Sequence, residues 1–267
     1  MLREPAVAGR FYPADPAVLR SDLNSYLSPA QPVEAAIGCI APHAGYIYSG
    51  AVAGAVFARM EIPSRCIVLC PNHTGRGHPL SLMKEGGWRT PLGDVPLDSD
   101  LASRLLDSFP ALVEDSAAHR YEHAIEVELP FLQTRRPDLT FVPVAIGTGR
   151  LFLLEELGQA IARAVQTCKD TVLIVASSDM NHYEDDATTR MKDRKAIDKI
   201  LALDPSGLYD TVINENVSMC GFGPAVAMLT AAKVLGASRA ELVQYATSGD
   251  VSGDRDMVVG YAGIVVS

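Results

Sequence analysis

The run Thr171-Val-Leu-Ile-Val-Ala176 constrains the fold more than any other stretch of this chain. It is apolar throughout with no alternation, so the strand it predicts is buried on both faces. A strand buried on both faces belongs to a sheet with helices on each side. Other runs of strand length fit the same frame: Ala35–Ala41, Ser64–Cys70, Thr140–Ile146, Glu241–Ala246 and Met257–Val266. Segments of helical period lie between them, at Leu101–Leu106, His123–Thr134, Phe152–Gln166 and about Ala187–Leu203. Ser49 is placed to cap a helix over AVAGAVFARM, and Pro224 to be the first helical residue of PAVAMLTAAKVL. Gly86–Leu97, which contains Trp88, reads as a hairpin or an excursion from the main pattern. With no linker, repeat or low-complexity tract, the pattern predicts one α/β domain over residues 1–267. Its expected form is three αβα layers around a mixed, largely parallel sheet.

The formal charge of −9 argues against nucleic acid as a partner, because backbone binding needs a basic face. Arg190, Lys192, Arg194, Lys195 and Lys199 are interleaved with Asp193 and Asp198, the pattern of a solvated helix face. No run approaches the ~20 apolar residues of a membrane span. The opening MLREPAVAGRFYP reaches proline and charge too early for a signal peptide. A soluble cytoplasmic protein with no membrane partner is therefore expected. Of five cysteines, none in a CxxC pair, Cys39, Cys66 and Cys70 sit inside strand runs and read as small buried hydrophobes.

The segments after these strands are polar in a consistent way. Ala35–Ala41 leads into Pro42-His43-Ala44-Gly45, and Ser64–Cys70 into Pro71-Asn72-His73-Thr74-Gly75. Thr171–Ala176 leads into Ser177-Ser178-Asp179-Met180-Asn181-His182, and Glu241–Ala246 into Thr247-Ser248-Gly249-Asp250. Ligands of open α/β sheets bind beyond the carboxyl ends of the strands. Two histidines and a carboxylate suit non-haem iron, and the same set suits catalytic zinc. The competing interpretation is that each loop histidine or aspartate caps a helix or pairs locally. His123 and Glu126 share a helix face, and they fit either a pocket or a solvated first turn. His78 and His119 read as surface residues. Cys220, before a helix N-terminus expected to lower its thiol pKa, reads as structural before pocket-lining or redox-active.

Several of these segments together resemble the Memo family. Ala8-Gly9-Arg10-Phe11-Tyr12-Pro13 is similar to its "AGxFYP" opening, and Pro42–Gly50 to its "PHAGYxYSG" segment. Pro71-Asn72-His73, Trp88–Gly93, Glu122–Glu126, Ser177-Ser178-Asp179 with His182, and Cys220-Gly221 also match, in unbroken order. The resemblance implies a fold similar to LigB-type class III extradiol dioxygenases, which are non-haem iron enzymes. It implies His43 and His73 as metal ligands, His182 as an acid/base histidine and Asp179 as a pocket carboxylate. Microbial members are often called the B protein of the AmmeMemoRadiSam system, which implies a radical SAM protein as a partner. Animal members carry a third ligand, a cysteine, in the segment matching Tyr245–Tyr261. Ungapped pairing there puts Val251 in its place, with Asp250 the nearest carboxylate and Asp254 behind it.

The resulting expectation is a metal-binding redox protein related to those dioxygenases. His43, His73 and Asp250 would hold a divalent metal, iron before zinc or copper, with His182, His123 and Asp179 in catalytic roles. A small molecule or peptide would occupy the strand-end pocket. Two other readings stay open: a non-catalytic peptide- or protein-binding module, and a zinc-dependent hydrolase.

Overall fold

The computed structural model describes residues 1–28 and 33–267. The chain begins with β1 (Leu2–Arg3), α1 (Pro16–Tyr26), β2 (Gly38–Ala41), α2 (Tyr46–Arg59) and β3 (Arg65–Pro71). Next come β4 (Leu80–Leu82), β5 (Gly87–Thr90), β6 (Gly93–Pro96), α3 (Ser99–Ser108), β7 (Val113–Glu114) and α4 (Ala124–Arg135). The middle of the chain forms β8 (Thr140–Ile146), α5 (Leu151–Gln166), β9 (Val172–Ser177), β10 (His182–Glu184), α6 (Asp186–Leu201) and α7 (Pro205–Asn214). The last elements are α8 (Phe222–Val234), β11 (Ala240–Thr247), α9 (Gly249–Ser252) and β12 (Val258–Val266).

The large sheet is built on a parallel core, β2–β9–β3–β8. Antiparallel strands extend it, with β4 on β8, and β12 on β2 followed by β11. Of the two readings of Gly86–Leu97, the structure shows the hairpin: β5 and β6 pair and join β1 in a separate small sheet. Strand alternation sorts β3 between two cores. Ile67 and Leu69 pack in one cluster with α5 and α8 residues such as Leu154 and Met228. Cys66, Val68 and Cys70 pack in the other with α2 and α4 residues such as Phe57 and Phe131. The mixed α/β sheet flanked by helices is therefore as the sequence predicts. Cys39, Cys66 and Cys70 are fully buried, also as expected.

Aspartates start several helices, which is the role that short acceptor side chains favour. Asp15 accepts from the Ala17 and Val18 amides ahead of α1, Asp98 from Leu101 ahead of α3, and Asp185 from Thr188 ahead of α6. Ser49 is not a cap. α2 already starts at Tyr46, whose amide donates to Phe11 O at 2.7 Å, and Ser49 Oγ donates back to Ala44 O. Pro224 is the third residue of α8, not the first. The basic face on α6 is also only partly solvated: Asp193 is fully buried, and Arg190 and Lys192 are ion-paired to Asp186 and Glu184.

Because β2, β3 and β9 are parallel, their carboxyl ends share one edge of the sheet. β12 is antiparallel to both β2 and β11, so β11 also ends at that edge. Among the described residues, no helix is long and apolar enough to cross a membrane.

Candidate metal centre

The turns after β2 and β3 and the start of α4 bring three histidines together. His43 follows β2, His73 follows β3, and His123 stands immediately before α4. Their ring centroids lie 5.2 Å apart for His43 and His73, 5.4 Å for His43 and His123, and 4.7 Å for His73 and His123. One nitrogen from each ring lies within 4.8 Å of the other two. Two ~2.1 Å bonds to one ion bring donors within about 4.2 Å of each other, so small side-chain rotations would complete the set.

Buried carboxylates and a hydroxyl orient the rings. Glu122 Oε1 lies 2.8 Å from His73 Nδ1 and accepts the amides of His123 and Ala124, while Oε2 accepts the His73 amide at 2.7 Å. One carboxylate thus starts α4 and anchors two of the three histidine segments. His43 Nδ1 lies 2.8 Å from Ser177 Oγ, which in turn bonds Glu128 Oε1 at 2.9 Å. Gly75 adopts φ +63°, a left-handed turn open to glycine, just beyond His73. Gly45, at φ −57°, uses no such freedom.

Burial pushes the His43 imidazole well below its usual pKa. Burial also lowers His123, although Glu122 pulls the other way. His73 is the exception. Burial would lower its pKa, but the Glu122 hydrogen bond and charge outweigh it and raise the value. A neutral imidazole is the ligating form, so burial at His43 and His123 favours metal over proton.

The cavity over these rings has a volume of about 600 Å³ and is also lined by Asp179, His182, Cys220, Phe11 and Tyr261. Burial raises the Asp179 carboxyl to about 7 against the pull of the His43 and Ala44 amides, and its Oδ1 accepts the His43 amide at 2.8 Å. His182 Nδ1 faces Ser218 O at 2.9 Å, which favours the ring proton on Nδ1, and burial lowers its pKa although backbone hydrogen bonds at Ser218 and Met180 pull the other way. The structure therefore brings His43, His73, His123, Asp179 and His182 into one pocket.

Asp250 is not among them. It follows β11 in α9, outside the pocket lining, where Arg190 and Arg255 each hold it at 2.9 Å. These ion pairs satisfy its charge, and it does not complete the ligand set. Val251 lies on α9, half-exposed and outside the pocket lining. The cysteine at the site is Cys220, with Sγ 3.3 Å from His43 Nε2. Its thiol pKa is raised by burial and by the Asp179 charge, not lowered by the helix it precedes. Gly221 makes this approach possible, since a Cβ there would lie 2.3 Å from Ser177 O.

His119 is fully buried beside Trp88 rather than on the surface, and burial pushes its pKa down to about 4. Nor is the first turn of α4 solvated. Glu126 is fully buried and bonds Arg3, Tyr12 and the Ala6 and Val7 amides. Three glutamates spaced through the apolar segment Glu122–Leu132 were the available signal for these buried roles.

The family described as "Memo-like protein" matches residues 3–265. The chain belongs to that family. It is 44% identical to MEMO1 family proteins of Methanopyrus kandleri and Methanosarcina mazei, in each case over 99% of both chains. A MEMO1 family protein of Pyrobaculum arsenaticum is 40% identical over 99% of this chain and 98% of its own. The crystal structure of an uncharacterised Escherichia coli K12 protein shares the fold, with a TM-score of 0.58 at 13% identity, covering 85% of this chain and 98% of that one. In this Memo-like chain, Pro42–Gly50, Pro71–His73, Glu122–Glu126, Ser177–His182 and Cys220-Gly221 each contribute a residue to the pocket wall.

Proposed function

We propose that this Memo-like chain is a metal-binding redox protein of the non-haem iron type, with His43, His73 and His123 as ligands and a small molecule as substrate. The approach of three imidazole nitrogens to within 4.8 Å, beside an open cavity, carries the reading. Bound there, divalent iron would supply Lewis acidity and one-electron redox chemistry.

The chain's own residues would bind substrate and move protons. His182 would take a proton at Nε2, because Ser218 O favours Nδ1 as the donor. Asp179, whose carboxyl lies at about 7, would exchange a proton near neutrality. Phe11 and Tyr261 would enclose a planar ligand and exclude water.

One observation favours a second reading. Three imidazoles without a carboxylate donor match the ligand set of catalytic zinc, so a zinc-dependent hydrolase fits the same site. The test is anaerobic purification followed by metal analysis of wild type and of His43→Ala, His73→Ala and His123→Ala. Near-stoichiometric metal in wild type and its loss in the variants supports the site. Negligible metal in all four proteins after iron and zinc loading sinks it. Oxygen uptake with catechols separates the redox reading from hydrolysis.

A further inference from the structure

A chain of hydrogen bonds runs from the cavity into the core behind His43. The Asp179 amide donates to Cys220 Sγ at 3.3 Å, and Sγ lies 3.3 Å from His43 Nε2. On the other side of the ring, Nδ1 lies 2.8 Å from Ser177 Oγ. That hydroxyl has two oxygen neighbours, Glu128 Oε1 at 2.9 Å and Ala124 O at 3.4 Å. Ser177 and Glu128 are fully buried, and Glu128 Oε2 has no partner among the described residues.

The donor count gives the chain a direction. Burial pushes the Glu128 carboxyl well above the usual carboxylate range, and whether it is charged or protonated on the unpartnered Oε2, its Oε1 is the nearer acceptor for the one Ser177 hydroxyl hydrogen. Its lone pairs are then left to accept, so His43 Nδ1 must carry the ring proton. Nε2 is thereby an acceptor, and it is the nearer of two acceptors for the Cys220 thiol hydrogen, at 3.3 Å against 3.7 Å for Asp179 O.

We propose that Glu128, acting through Ser177, is a positioning residue that fixes the His43 proton on Nδ1 and leaves the Nε2 electron pair facing the cavity. Glu128 touches neither the cavity nor His43, and its only role here is to supply a hydrogen-bond acceptor. A ring protonated on Nε2 presents no electron pair to a metal, so the same chain sets the metal affinity of the site. That second consequence rests on the three-histidine reading, whereas the tautomer does not.

The tautomer is read in metal-free, ¹⁵N-histidine-labelled protein near neutral pH, from long-range ¹H–¹⁵N correlations. Wild type is expected to show Nδ1–H at His43. Ser177→Ala and Glu128→Leu are expected to lose that preference, and Glu128→Gln, which keeps an acceptor oxygen, to retain it. Nε2–H in wild type overturns the proposal, as does Nδ1–H persisting in Ser177→Ala or in a folded Glu128→Leu. If Glu128→Leu fails to fold, Ser177→Ala and Glu128→Gln decide the matter. In zinc titrations of the same proteins, the two disrupting variants should bind about 10–100-fold more weakly and Glu128→Gln like wild type. Equal affinity in Ser177→Ala and wild type overturns the link to the metal. A wild type that binds no zinc yet shows Nδ1–H overturns the metal-site reading and that link, and supports the tautomer proposal.

Discussion

Glu122 Oε1 lies 2.8 Å from His73 Nδ1, and its second oxygen accepts the backbone amide of the same residue. Both the ring and the backbone of His73 therefore depend on one buried side chain. Glu122→Gln should lower the His73 pKa, because the hydrogen bond and charge that raise it against burial come from this carboxylate. Histidine titration followed by NMR reads the shift. Metal affinity should fall by about 10–100-fold in parallel, as for other carboxylates that orient a ligating imidazole. A His73 titration unchanged from wild type would contradict the assignment.

Asp250→Asn should leave metal content at the wild-type level, because Asp250 is held by Arg190 and Arg255 away from the histidines. These pairs are part-exposed, so the stability change should stay below about 1 kcal/mol. Metal loss as complete as in His43→Ala would restore Asp250 to the ligand set.

Glu126→Ala should be strongly destabilising. Its buried carboxylate pairs with Arg3 at 2.7 Å and accepts the Ala6 and Val7 amides and the Tyr12 hydroxyl. Removing it strands a buried guanidinium, a change that costs about 3–5 kcal/mol. Urea denaturation measures the loss, and a change under about 1 kcal/mol would show that this N-terminal clasp is not a buried ion pair.

Asp193 gives a pH dependence of defined sign. Burial raises its carboxyl from 3.8 to about 6, despite hydrogen bonds from Tyr245 and the Asn181 amide. Between those values the folded chain holds a proton that the unfolded chain has released. Stability from this group therefore falls as pH rises from about 4 to 6, and the cost is complete above that window. Asp193→Asn, which cannot ionise, should gain stability relative to wild type by ~3 kcal/mol between pH 4 and pH 8. A difference that is flat across this range would rule out an ionised, desolvated Asp193.

Much of the scaffold was legible because burial leaves a periodic trace. The uninterrupted run Thr171–Ala176 became a central strand, and Thr140–Ile146 is β8 to the residue. His43 and His73 were legible for a related reason, since each stands two residues beyond the end of a buried parallel strand and so must reach the carboxyl edge. His182 and Asp179 followed β9 by the same logic. α1 and α7 lie outside the segments of clear helical period, although Asp15-Pro16 and Asp204-Pro205 start them in the usual cap-and-proline manner.

The candidate ligand set was less legible, because a turn's position does not say where its side chains point. Asp250 satisfies the same strand-end rule as His43, yet a short helix carries it to two arginines. His123 precedes a helix rather than following a strand, and only the packing of α4 against β3 and β9 turns its ring toward His73. Cys220 is distant in sequence from every strand-end motif and reaches His43 because Gly221 lets its turn lie on Ser177. Strand periodicity by itself determined the α/β sheet, its buried faces and the edge where chemistry gathers. Tertiary packing alone decided which polar groups at that edge meet, because ion pairs, caps and glycine contacts between distant segments leave no periodic trace.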